Sequence, residues 1–527
     1  MRKLTTIVFI GLTMMGTSCK KYLNINDNPN QATAATPELI LPQALTTTAG
    51  VLSGFNNYGM QVGGYGANAG GYGGFGTAIS YNFSSNDYTG LWSGTYDNLE
   101  DYQAILDYTA TQLPKYSYFS AAARIMKAYD FQLLVDTYNN IPYSTALTGA
   151  NNLTPTYDDA ATIYSSLAVQ LDSAILTINN AASATGVTAM GSYDVMFGGD
   201  MTEWKQLANT LKLRLIVRAK GKSTFANTSF DAAGFLTTDA LINPGFTRDN
   251  SKQNPAWNTW AYSYTGGDAT KSWVPSTFIF GFYDGHTLLD SGRGKAVYYQ
   301  YPSTGTNQLG YESVSVPKCP SGSFWYVGTT TSGLDHRKGA SAGDTIGVLK
   351  GPNAGFPAML AAESYFLQAE AAVRGITSGG NAKTLFDNGI NSSFQYLYEL
   401  PDGSIKKTDT LSKYDSTYRA DNSGSYLVNF DLATTTAMKL EAILTQKYIA
   451  LNFVNSQEGW NEYRRTHYPT IITGGTAYKT FASKVSESTR ADKLPTRILY
   501  PSTEGSYNPK NVPTNITPFS SLIFWAL

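Results

Sequence analysis

EAILTQKYIALNFVNSQEGWNEYRRTHYP, residues Glu441–Pro469, is the stretch that decides how this chain folds. With Leu440 just before it, Leu444, Tyr448 and Leu451 repeat at the i, i+4, i+7 spacing of a buried helix face. Lys447 interrupts that apolar helix, and a charge in such a place needs a partner. Glu458, Trp460, Asn461, Glu462, Arg464 and Arg465 then mix charge with an aromatic ring within one or two helical turns. Arginine binds carboxylates through two parallel hydrogen bonds, so this cluster reads as a clamp between helices rather than as a ligand site.

The same period recurs upstream. Ile163, Leu167, Leu171, Ala174 and Ile178 form one stripe, and Trp204, Leu207, Leu211 and Leu215 a second. Ala362, Phe366, Ala369 and Val373 form a third, ended by Gly375. Glu363 and Glu370 lie in that third helix, and pairing of these glutamates with Lys447 is expected. Trp92 and Trp204 fall in helical patterns and are expected in the core. The stripes come in pairs, which predicts a mainly α fold of about four tetratricopeptide-like helix hairpins. No clean 34-residue repeat is visible.

Between the second and third stripes the texture changes. Residues 240–350 are rich in Gly, Pro, Ser and Thr, with scattered aromatics and little helical period. They predict a long irregular insertion with a few short strands, Tyr298–Tyr301 and Val314–Val316 among them. Such loops on a rigid frame commonly carry binding groups. A second glycine-rich stretch, GGYGANAGGYGGFG (residues 63–76), is either a flexible loop or a pliant backbone that presents aromatic faces.

The N-terminus carries a different message. Arg2 and Lys3 precede an apolar run from Leu4 to Met15, then Gly16, Thr17, Ser18 and Cys19. This is the layout of an export signal (residues 1–18) cleaved to leave Cys19 as a lipidated first residue. Ordinary secretion with a chance cysteine is the alternative. Residues 19–40 read as the anchor and a flexible tether, and 41–527 as a single domain. No later run is long and apolar enough to be read as a membrane span.

Composition narrows function. The net charge is −1 and only 15% of residues are charged, which gives no electrostatic reason to bind nucleic acid. With two cysteines in all, Cys19 and Cys319, no internal disulfide is expected to hold the fold. The three histidines, His286, His336 and His467, are far apart and no H-E-x-x-H occurs, so no metal site is expected. Gly71, Gly73 and Gly76 satisfy G-x-G-x-x-G, but glycine and tyrosine, not a buried strand, precede them. Gly339–Gly343 satisfies G-x-S-x-G, again with no strand before it. An acidic pair for glycoside hydrolysis is spatial and escapes sequence. No catalytic residue and no cofactor are assigned.

Aromatics are the unusual component, with 37 Tyr, 24 Phe and 8 Trp. Exposed rings can hold a ligand by stacking while neighbouring polar groups hydrogen-bond to it. Tyr72 and Phe75 in the glycine loop, Trp257 and Trp260 in NPAWNTWAYSY, Trp273, and Trp325 with Tyr326 in SGSFWYVG are therefore the candidate ligand-binding rings. Two or three of them are expected to form a platform that holds a ligand by stacking.

Several segments in order resemble the SusD/RagB family of outer-membrane nutrient-binding lipoproteins. KKYLNINDNPN after Cys19 resembles its opening, nearest the subgroup that begins with "DNPN". AAARIMKAYDFQLLVDTYNNIPYSTAL (121–147) resembles its helix and D-x-Y-G-D-I-P-Y segment, with Asn139 and Asn140 in place of Gly-Asp. Tyr157-Asp158, Gly198-Gly199-Asp200, Ala208–Arg218, Phe356–Gly375, Glu441–Pro469 and Leu494–Pro501 follow. The resemblance implies a lipoprotein that caps a SusC-type TonB-dependent barrel and delivers oligosaccharides, or in some members peptides, without covalent chemistry. Outer-membrane placement, lipid-anchored at Cys19 and facing outward, is the implied location. Lys20 and Lys21 precede the first acid, Asp27, whereas surface members often have acids sooner.

Overall fold

The structure is a computed structural model that describes residues 35–312, 324–327, 346–377, 380–406 and 410–527. Cys19 and the export signal, Val314–Val316, Cys319, His336 and the G-x-S-x-G segment lie outside the described residues.

Ten helices longer than ten residues make the frame: α1 (Pro37–Val62), α2 (Thr89–Thr109), α3 (Ser117–Tyr138), α4 (Ala160–Ala181), α5 (Met201–Arg218), α6 (Ala361–Val373), α7 (Ala382–Tyr398), α8 (Leu411–Asp421), α9 (Thr436–Ala450) and α10 (Ser456–Thr466). Local chemistry sets their ends. Pro37 opens α1 at the first helical position, where its missing N–H is no loss. This start lies inside the stretch read as tether, so residues 37–40 belong to the fold. Asp159 caps α4 by accepting from Thr162 N, and Asp200 caps α5 from Thr202 N and Glu203 N. Gly375, at φ +65°, follows α6 in the left-handed region that glycine enters without cost.

Consecutive helices pack on one another from α1 through α7, α9 packs on α6, and α10 returns to pack on α1. The fold is thus the helical, tetratricopeptide-like one that the stripes predict. The residues of all four stripes are buried except half-buried Val373 and Leu440, and Trp92 and Trp204 are buried too. α4 is, by length and composition, apolar enough to cross a membrane, a correction to the sequence reading. Its Ile163, Leu167 and Leu171 are nevertheless buried in the core between α3 and α5.

α10 meets α1 backbone to backbone. A Cβ on Gly59 would lie 2.1 Å from Gln457 N, so only glycine permits this approach. Asn56 secures it, its side chain donating to Phe453 O and accepting from Ser456 N at 2.8 Å.

Charges fasten the rest. Lys447 Nζ reaches Glu458 at 2.8 Å and Glu462 at 3.0 Å, and Arg218 at the end of α5 pairs with the same two glutamates and with Asp136. Arg465 grips Glu370 with two 2.8 Å bonds, and Arg214 meets Glu363 at 3.1 Å. The clamp reading of Glu441–Pro469 holds. The expected pairing of Lys447 with Glu363 or Glu370 does not: those glutamates take Arg214 and Arg465, and Lys447 turns to the next helix, α10. Burial alone would raise the Glu462 carboxyl, but Arg465, Lys447 and Arg218 hold it well below the ordinary glutamate value.

Among the described residues three short antiparallel strand pairs fill the loops: β1 (Gly66–Asn68) with β5 (Trp273–Pro275), β2 (Ile141–Pro142) with β3 (Tyr157–Asp158), and β4 (Ala240–Ile242) with β6 (Phe356–Met359). Tyr298–Tyr301 is not a strand; Tyr298 makes one isolated bridge to Trp325.

Candidate functional site

The β1–β5 pair joins the two loop regions that the sequence singled out. Gly66 faces Pro275, Ala67 faces Val274 and Asn68 faces Trp273. The glycine loop leaves β1 directly after this register. Gly71, Gly74 and Gly76 take φ of +76°, +83° and +49°, and a Cβ on Gly73, Gly74 or Gly76 would meet open space. At Gly74 and Gly76 glycine is therefore needed for backbone conformation, not for close packing.

This loop sets the half-buried Phe75 ring edge-on to half-buried Trp273, with centroids 5.3 Å apart. Tyr72 is half-buried beside them in the same loop. Residues 307–311 lie along β1: Asn68 donates to Tyr311 O at 3.1 Å and accepts from Gly310 N at 2.8 Å, and Asn307 donates to Asn68 O at 2.6 Å. Tyr311 is 41% exposed, with the Lys484 ammonium 4.9 Å from its ring centre. The Asn68 and Asn307 amides are buried and hold this corner together, so the half-exposed rings and the Lys484 ammonium are what it offers to an apolar sugar face with a hydroxyl rim. Tyr311 was not among the rings chosen from sequence, because nothing local marks it as lying beside β1.

The other tryptophans go elsewhere. Trp257, Trp260 and Trp325 are only 1%, 4% and 0% exposed. They belong to the core. The Trp325 ring stacks on Phe453 at 4.1 Å, Trp260 meets both rings edge-on, and Trp260 Nε1 donates to Asn57 Oδ1 at 2.8 Å. Trp257 packs near Tyr262 at 6.0 Å. The reason is the short helix Pro255–Trp260, which docks on α1 and points its tryptophans inward. Tyr326 is half-buried, its N–H bonded to Val297 O at 2.9 Å. Of the seven predicted rings, Tyr72, Phe75, Trp273 and Tyr326 keep an accessible face.

Trp257 does border a cavity of about 210 Å³, shared with Asp239, Asn254, Lys350, Tyr396 and Glu399. Burial pushes Lys350 down to about 8 against the pull of Asp239 and Glu399, and its Nζ donates to Glu399 O at 2.6 Å. Burial raises Asp239 to about 6, although it accepts from Ala361 N at 2.7 Å and Lys350 opposes the rise.

Around Gly71, Gly73 and Gly76 there is a three-residue strand before and a four-residue helix after, Thr77–Ser80, which is no βαβ unit. Among the described residues no group of three or more His, Cys, Asp or Glu gathers as a metal site. His467 is exposed and ends α10 in the left-handed conformation at φ +59°.

Comparison with known proteins agrees with this architecture. A SusD/RagB family protein from Bacteroides thetaiotaomicron superposes with a TM-score of 0.68 at 18% identity, covering 93% of this chain and 99% of that one. A SusD homologue from Bacteroides uniformis gives 0.63 at 22% identity over 93% and 99%. A chitin-binding SusD homologue from Flavobacterium johnsoniae gives 0.62 at 21% identity over 92% and 99%. These likenesses show a shared fold. No curated protein matches the sequence. The SusD-like family model, described as "Starch-binding associating with outer membrane", matches residues 29–501, and the chain belongs to that family.

Proposed function

We propose that this protein is a lipid-anchored, cell-surface nutrient-binding protein. It captures oligosaccharides at the β1–β5 corner and passes them to a SusC-like TonB-dependent outer-membrane transporter. Residues 1–18 are the export signal, Cys19 the lipid anchor, and the segment up to α1 the tether. Capture needs no catalysis, and no enzymatic step is assigned. One observation carries the reading: the β1–β5 strand pair between the glycine loop and the insertion brings Phe75 and Trp273 edge to face while both keep an exposed side. Membership in a family described as starch-binding supports a glycan ligand. Chitin-binding relatives of the same fold make chitooligosaccharides a first choice beside maltooligosaccharides.

Isothermal titration of the unlipidated protein (residues 20–527) against these sugars and a peptide panel tests the proposal, with the samples checked for cleavage. Binding of one sugar class without turnover is the expected result. Peptide binding alone would replace glycan by peptide as cargo, and turnover would overturn the non-catalytic assignment.

A further inference from the structure

A second cavity, independent of the glycan reading, lies in the first half of the helical frame. Arg124 and Lys127 stand three residues apart on α3 and so project from one face. With Phe131, Tyr143, Ser144 and Gln170 they line a cavity of about 210 Å³. Each cation has a neutral hydrogen-bond partner: Arg124 donates to Gln170 Oε1 on α4, and Lys127 to Gln103 Oε1 on α2. Among the described residues neither has a carboxylate within ion-pairing distance. Asp158, the acid next to the lining, is already engaged by Tyr143 N at 3.0 Å, Ser144 N at 2.9 Å and the Ser144 hydroxyl at 2.7 Å. Asp107 on α2 instead takes the Gln103 amide at 2.7 Å.

Elsewhere most deeply buried cations are paired with acids; the exceptions, Arg464 and Arg497, are held by backbone carbonyls and, for Arg464, the Asn461 amide oxygen. Arg218, Lys447, Arg465, Arg214 and Arg293 each meet at least one carboxylate. Half-buried cations side by side without counter-charge repel one another and lose hydration, a cost that a bound anion would remove. We infer that the cavity between α3, α4 and the Tyr143–Ser144 segment binds a small oxyanion, a carboxylate, sulfate or phosphate group, held by Arg124 and Lys127 with the Tyr143 hydroxyl beside them. The room in the cavity accommodates a small molecule that bears the group, not only a lone ion.

Proton linkage gives the site a signature. Burial and the neighbouring Arg124 charge push Lys127 down to about 8, only partly opposed by Asp107 and Glu100 on α2. Anion binding requires the charged amine, so affinity is retained below pH 8 and falls as pH rises through it. Tyr143 is pushed up to about 12 by burial and by Asp158, so it stays a neutral donor throughout.

Titration calorimetry of the unlipidated chain at constant chloride tests this with inorganic phosphate, sulfate, glucuronate and, as neutral control, glucose, at pH 7 and pH 9. We expect at least one anion to bind at pH 7, glucose not to, and affinity to drop about tenfold by pH 9. Lys127→Gln and Arg124→Gln should each weaken binding about tenfold or more while the melting temperature stays near wild type. Glucuronate tighter than phosphate would assign the group to an acidic sugar, and the reverse order to a phosphate or sulfate; either supports the site. Silence of every anion on folded protein, or binding unmoved by both variants, would overturn it. If Arg124→Gln fails to fold, Lys127→Gln decides alone.

Discussion

Trp325 and Trp273 come from the same loop-rich insertion, yet one is fully buried against Phe453 and the other stands half-exposed against Phe75. Their sequence settings look alike: each is flanked by Ser, Gly or Thr and short apolar runs. What separates them is the partner. Trp325 bridges to Tyr298 and sinks into the layer between Trp260 and the turn after α9. Trp273 sits at the end of a strand whose neighbour is a glycine loop with nothing outside it. A ring's availability to ligand is thus decided by what its backbone pairs with, not by the composition around it.

The contrast predicts a graded set of substitutions. Trp325→Ala should empty a packed layer and cost about 3–5 kcal/mol, read as a large fall in the denaturation midpoint. If that variant instead melts like wild type and loses glycan binding, the division of the rings is wrong. Trp260→Phe keeps most of the volume but drops the hydrogen bond to Asn57 Oδ1, and should cost about 1–2 kcal/mol with glycan affinity unchanged. Trp273→Ala removes the edge-to-face pair with Phe75 and should cost only about 1 kcal/mol of stability. Its glycan affinity should fall about tenfold or more, the inverse of the Trp325→Ala pattern. Tyr311→Ala, at the exposed rim, should leave stability within about 0.5 kcal/mol and weaken binding only a few-fold, measured in the same titrations.

The helical frame was legible because a buried face repeats at a fixed period, and Ile163–Leu167–Leu171 or Leu440–Leu444–Tyr448 carry that period whatever they touch. The charged cluster at Glu458–Arg465 was legible as a clamp because a buried arginine needs acceptors: Arg465 finds them on Glu370 and Glu462, and Arg464 on Asn461 and backbone carbonyls. Which carboxylates was not legible. Lys447 prefers α10 over α6 because the turn between α9 and α10 folds the chain back at once, whereas Glu363 already faces Arg214 from α5. The candidate corner was half legible. The glycine loop and Trp273 were both chosen, but their union depends on a pairing between Asn68 and Trp273 across two hundred intervening residues. The buried tryptophans misled because an amphipathic ring of that size suits a core as well as a platform.

The contact between Gly59 and Gln457 has a consequence for how the chain reaches this state. Asn56 and Ser456, which secure it, are 400 residues apart in sequence. Trp525, further still along the chain, donates to Asp136 on α3, and Leu527 N bonds to Arg464 O. The helices of the middle can nucleate with their sequence neighbours, as local contacts form quickly. The first long helix can do so only in part: it meets α2 early, but the face it turns to α10 stays uncovered until almost the whole polypeptide has appeared. A chain delivered N-terminus first through an export channel would therefore remain unfinished, and open to chaperones, until its last residues arrive and close the circle.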